Sequence, residues 1–173
     1  RITPMRDLAA EWAGYANAEF LGSGPSYATS AFGAAKMLEA AGTHALAQDM
    51  EEWAHLQYFV AKPESTATFL IAPAGAKAES RAVEISKFLR TLERPSIALV
   101  GPGSPIADYH IPTLTIPEMV DEPFSPILYS IPLALFAGYL ADATGAEYGR
   151  AHSGRWIDSD MGNSIRESRI VIP

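Results

Sequence analysis

The chain contains no cysteine. That excludes disulfides, thiolate metal ligands and a thiol nucleophile, and it leaves the redox compartment unread. Bases are scarce too: thirteen Lys and Arg stand against twenty Asp and Glu, a net charge of −7, and no window is rich in them. A binder of phosphate backbones needs a positive face, so no nucleic-acid partner is expected. The opening RITPMRDL is neither the apolar core of a signal peptide nor an arginine-rich transit sequence. Its first residue is Arg1, from which a longer polypeptide is expected. No Gly-Lys-Ser/Thr follows a glycine-rich turn, and the three-glycine dinucleotide spacing is missing. The four histidines, His44, His55, His110 and His152, lack metal-ligand spacing, so neither a metal nor a cofactor is expected.

Charge is also missing from one long stretch, the nineteen residues from Pro123 to Ala141. That is nearly the length that spans a bilayer. Pro123, Pro126, Pro132, Ser125 and Ser130 interrupt it, and it reads as a buried helix with a proline near its first turns. No membrane partner is expected.

What is present is the profile of one soluble globular domain: 173 residues, of which 48% are hydrophobic and 19% charged, are enough to bury a core. Met5, Leu8, Trp12 and Tyr15 fall on one helical stripe. Glu19 to Leu21 is a short run that stops at Gly22-Ser23-Gly24-Pro25-Ser26. An alanine-rich helix over 27–41, ended by Gly42, follows, and another spans about 49–58. Thr66–Ala72, Ile97–Val100 and Thr113–Ile116 read as strands, with an amphipathic helix over 77–92 between the first two. Strands that are apolar throughout are covered on both faces. The expected architecture is therefore a three-layer α/β/α sandwich on a parallel sheet of four or five strands, in one domain over 1–173. In such sheets ligands bind beyond the carboxyl ends of the strands, which directs attention to the turns 22–27, 73–77 and 101–105.

The first turn has the parts of an anion cradle: glycines, the hydroxyls of Ser23 and Ser26, and a helix N-terminus. A tight turn needs glycine for steric reasons in any case, so both readings stand. The second turn, Ala72-Pro73-Ala74-Gly75-Ala76, has no hydroxyl, and Lys77 is its sole charge. It is expected to hold a helix N-terminus and little more. Lys36 and Glu39 share a helical face with Phe32, and alone they read as a solvated ion pair. His44 reads as a residue at a helix end. His55 has Glu51 at i−4 and Glu52 at i−3, either of which could hold its imidazole.

The order of these pieces resembles a sugar isomerase (SIS) domain, specifically the second SIS half of the glucosamine-6-phosphate synthase and sugar-phosphate isomerase family. The resemblance is carried by Phe20-Leu21-Gly22-Ser23-Gly24, by Gly33 to Glu39, by Thr43-His44-Ala45 and by Glu52-Trp53-Ala54-His55. Thr68 to Pro73 and Ser125 to Leu133 continue it, over roughly residues 18–145. The resemblance implies a flavodoxin-like SIS fold and an aldose–ketose isomerase, or a deglycase or deaminase, acting on a hexose or amino-sugar phosphate. It implies Glu39 as the base that moves a proton between sugar C1 and C2, and Lys36 as its electrostatic support. It implies His55, sixteen residues beyond Glu39 (55 − 39), as the ring-opening acid that often reaches a neighbouring subunit's site. Ser23, Gly24, Ser26 and Glu52 are the candidate substrate contacts.

Departures from the family pattern are equally specific. Phe32 stands where a second carboxylate is expected, and Ala54-His55-Leu56-Gln57 replaces Lys-His-Gly-Pro. Arg166 and Arg169 are the candidates for a closing lysine in the tail. The Ser/Thr-rich phosphate loop of a first SIS half is missing. The expectation is thus the C-terminal half of a double-SIS protein, cytoplasmic, partnered by a sugar phosphate, by a first SIS half and by a second copy in a homodimer. The alternatives are a non-catalytic sugar-phosphate-binding and dimerisation module, and a purely structural subunit.

Overall fold

The computed structural model describes residues 3–109, 111–117, 120–147 and 149. His110, His152 and the tail residues Arg166 and Arg169 lie outside them. In chain order the elements are α1 (Thr3–Trp12), β1 (Asn17–Leu21), α2 (Pro25–Ala41), β2 (His44–Gln48) and α3 (Met50–Leu56). Then come β3 (Thr66–Ala72), α4 (Glu79–Thr91), β4 (Ser96–Val100), β5 (Thr113–Thr115) and α5 (Ser125–Thr144). The strands form one all-parallel sheet in the order β2-β1-β3-β4-β5. The sequence left four or five strands open; there are five.

Alternation along the strands separates two cores. Phe20, Phe69, Ile71, Ile97 and Leu99 point to one face, where Trp12 of α1, Met37 of α2 and Leu133 and Phe136 of α5 cover them. Leu21, Leu70, Ala72, Ala98 and Val100 point to the other, under Met50 and Trp53 of α3 and Ile85 and Leu89 of α4. The result is three layers: α1, α2 and α5, then the sheet, then α3 and α4. Every position of β3 and of β4 is buried, as expected of parallel strands covered on both sides.

Gly33 sets how closely α2 lies on this sheet: a Cβ there would sit 2.6 Å from the Phe20 ring and 2.9 Å from Leu133. Gly42 ends α2 in the left-handed conformation, φ 71°, its N–H bonded to the Leu38 carbonyl. The helix predicted over 123–141 is α5, and its inner face is core: Tyr129, Leu133, Phe136 and Leu140 are buried. It is also long and apolar enough, by length and composition, to cross a membrane. One expectation needs correction. His44 is not a helix-end residue but the first residue of β2, an edge strand that the sequence reading passed over. All its side chains but that of Ala45 are exposed or half-buried, so it lacks the buried apolar run that marks β3.

Candidate functional site

With this strand order the chain reverses direction between β1 and β3, and a crevice opens outside their carboxyl ends. A cavity of about 420 Å³ lies at this edge of the sheet on the α3/α4 side, lined by Ser23, Asp49, Glu51, Lys77, Ser80, Arg81 and Glu84 among others. Ser23 Oγ accepts a hydrogen bond from the Met50 N–H at 3.4 Å, tying the first turn to the start of α3. Asp49 caps α3, accepting from the Glu51 N–H at 2.9 Å. Arg81 donates from Nε to Glu51 at 2.6 Å and also pairs with Glu84. The bond to Glu51 raises the Arg81 pKa further above its ordinary value.

The two turns beside β1 and β3 differ in what their amides do. Gly24 caps α2 with φ 58° and no side-chain cap, and Ser26 is buried. Across the crevice the Lys77 N–H donates to Glu122 at 3.3 Å and the Gly75 N–H to Glu79 at 3.1 Å. The same Glu122 carboxylate lies 3.8 Å from where a Gly24 Cβ would be. The protein's own carboxylates thus take up amides that an anionic ligand would otherwise use. The turn does more than start a helix, because it holds Glu122 from a segment 45 residues away. Behind it, the buried Tyr129 phenol is pushed up to about 12 by burial, with a hydrogen bond to the Ala74 backbone opposing and the Glu79 charge adding.

Among the candidate catalytic groups, Lys36 and Glu39 are brought together as an ion pair one turn apart on α2. Glu39 is well exposed, and Lys36 Nζ also sits 5.5 Å from the Phe32 ring centroid, where the resemblance expects a carboxylate. His55 is exposed near the end of α3. Its Nδ1 lies 3.0 Å from the Glu51 backbone carbonyl, which places the ring proton on Nδ1 and leaves Nε2 outward. Neither neighbouring carboxylate holds the ring; that of Glu51 is engaged by Arg81. Glu39 and His55 stand on helices covering opposite faces of the sheet, and neither lines the cavity. Glu52 is exposed and also lies outside it, whereas its neighbour Glu51 lines it.

Sequence reasoning passed over Arg81 and Glu84, although Lys77, Arg81 and Glu84 recur at i, i+4 and i+7 from a strand-to-helix turn. It also passed over Arg94. This fully buried residue pairs with Glu19 on β1 and donates to Thr68 at 3.3 Å and to Gln57 at 2.7 Å. Trp53 Nε1 donates to the same Glu19 at 2.8 Å, and the Arg94 guanidinium lies 5.3 Å from the Trp53 ring. This network fastens α3, and His55 with it, to the sheet. Among the described residues no cluster of three or more metal-ligating side chains occurs.

No protein-family profile matches the chain, and no curated protein sequence does. Solved structures do. The C-terminal domain of glucosamine-fructose-6-phosphate aminotransferase from Francisella tularensis superposes with a TM-score of 0.73 at 18% identity, over 84% of this chain and 41% of that one. Tagatose-6-phosphate ketose/aldose isomerase from Escherichia coli gives 0.69 at 16%, over 83% and 40%. An Escherichia coli protein in complex with a sugar phosphate gives 0.67 at 16%, over 88% and 94%. The chain therefore spans about two fifths of the first two chains and nearly all of the third. It has the SIS fold of these structures.

Proposed function

We propose that this chain is a sugar-phosphate isomerase-type domain whose catalytic site is completed by a second SIS unit. The observation that carries the proposal is the Lys36–Glu39 pair on α2, held rigidly over a core yet directed outward, within a fold shared with phosphosugar isomerases. A carboxylate so placed can take the C2 proton of an open-chain aldose phosphate and return it to C1. Lys36 then faces the negative charge that develops on the enediolate oxygens. His55, whose Nδ1 proton is held by the Glu51 carbonyl, donates the proton that opens the sugar ring from Nε2 in its doubly protonated imidazolium form.

The separation of Glu39 and His55 on opposite faces favours a shared site, to which one unit lends the base and another the imidazole. The occupied amides of the β3–α4 turn likewise favour a phosphate held by another unit. In this reading the chain is one SIS half that works with a first half or with a second copy. Deglycase or deaminase chemistry begins with the same proton transfer and belongs to the same proposal.

The test is Glu39→Gln, read as deuterium exchange at C2 of hexose and hexosamine phosphates in D2O. Exchange by the parent protein that falls by about a hundredfold or more in the variant supports the role, in line with the weight of a positioned general base. Undiminished exchange rejects it. A second reading, a binding module without catalysis, is favoured by Phe32 taking the place of a carboxylate under Lys36. Tight calorimetric binding of the same sugars without any exchange selects that reading.

A further inference from the structure

Helix α5 is apolar on all sides, but only one side is covered. Phe124, just ahead of it, and Ile127, Ile131 and Leu135 along it are 59%, 67%, 53% and 39% exposed. Ala134 and Gly138 are exposed beside them, and a Cβ at Gly138 would meet no atom within 4 Å. At about 100° per residue these six positions fall within a sector of roughly 100°, one continuous stripe. Four large side chains at those exposures leave a bare patch of roughly 400 Å², the size of the largest apolar patch on many monomeric proteins, which is often a functional one.

Bulk dominates the first half of the stripe, with Phe124, Ile127 and Ile131, whereas the second half has Ala134 and Gly138 beside a single large side chain, Leu135. We infer that it pairs with the same stripe of a second copy of this chain, antiparallel and about a two-fold axis. When the two helices run oppositely with paired residue numbers summing to 265, Ile127 meets Gly138 and Ile131 meets Ala134. Each knob then enters a gap, as close packing requires. A parallel pairing sets bulk against bulk and leaves the small residues facing a void. A surface that fits itself on reversal is what an isologous two-fold contact needs.

Charge points to the same occupant. Copies carrying −7 each repel one another, and Pro123–Ala141 is the longest stretch without charge. Arg6 lies 4.9 Å from the ring of Tyr139, towards the carboxyl end of α5. In the stated register Tyr139 is level with residue 126 of the other copy, so Arg6 lies towards the end of that copy's α5 that Asp121 precedes. The bare patch supplies about half of the ~800 Å² per partner of a standard interface.

This surface rests on the proposed reading that the chain pairs with a unit of its own kind, and its test does not depend on catalysis. In sedimentation velocity the 173-residue chain is expected to be a dimer at tens of micromolar. Ile131→Asp is expected to weaken association by at least about a hundredfold, because it buries an unpaired charge at the centre. Phe59→Asp, on a separate exposed patch, is expected to leave it unchanged. Because the chain has no cysteine, single thiols report geometry cleanly under mild oxidation. Ile131→Cys, near the axis, should cross-link two chains, as should the double variant Ile127→Cys/Gly138→Cys. Ile127→Cys alone should not.

A monomeric parent protein overturns the inference, whether its α5 face is bare, shielded from maleimide or bound to phosphatidylcholine vesicles. A dimer that survives Ile131→Asp, or that cross-links through Ile127→Cys alone, overturns the surface while leaving pairing intact. Loss of C2 exchange in Glu39→Gln with no dimer leaves the isomerase reading standing and sinks this one.

Discussion

The two faces of the sheet are built on different chemistry. On the α1/α2/α5 side, Trp12, Phe20, Phe69 and Phe136 form a dry aromatic cluster, with Phe20 and Phe69 stacked at 4.8 Å and the other rings edge-on. Beneath α3 the same sheet carries the buried Glu19–Arg94 pair with Trp53, Gln57 and Thr68 around it. Seventeen-residue α2 can be held by area alone. Seven-residue α3 buries only Met50 and Trp53 and needs directional bonds to be fixed in place. So the helix bearing Glu39 rests on a non-polar platform, whereas the helix bearing His55 depends on charge.

The largest effect that could break this contrast is at Arg94. Arg94→Met strands a buried carboxylate at Glu19 and is expected to cost about 3–5 kcal/mol in urea unfolding, while Glu19→Leu combined with Arg94→Met recovers most of it. Hydrogen exchange should show α3 opening first in the single variant. Equal opening of α2 would end the distinction between the faces.

A smaller effect tests the dry side through Tyr129. Its phenol titrates near 12 when folded, against 10 when unfolded. The unfolded chain therefore loses this proton first, and the contribution is complete below pH 10 and is lost as pH rises through 12. Over that window about 2–3 kcal/mol of stability should disappear, and Tyr129→Phe should flatten this part of the pH–stability curve.

The smallest effect lies just before Arg94, at Glu93, whose φ of 52° is left-handed. Glu93→Gly relieves that strain, partly offset by a looser unfolded chain, and should stabilise by about 0.5–1 kcal/mol in thermal unfolding. A loss instead would mean that Glu93 serves the Arg94 network directly.

Much of the fold was legible because its signals are local. The continuous apolar run Thr66–Ala72 can only be a strand covered on both faces, and Gly42 can only end a helix that needs a left-handed residue there. Edge strand β2 was not legible, since a half-exposed strand has no apolar run to show. At the site, the i, i+3 spacing of Lys36 and Glu39 was enough to foresee their pairing. The bond from Lys77 to Glu122 was not foreseeable, nor was that from Arg94 to Glu19, because 45 and 75 residues separate the partners.

The amino-acid order by itself determined the layers of this protein, the uncharged α5 and the pairing on α2, because helical and strand periods and turn residues act over a few positions. Tertiary structure alone decided that Glu39 and His55 face away from each other, that carboxylates fill the amides of the β3–α4 turn, and that half of α5 is left bare. Those outcomes depend on which strand lies beside which. Strand order is chosen by the packing of the whole chain, so no short stretch of it carries that information.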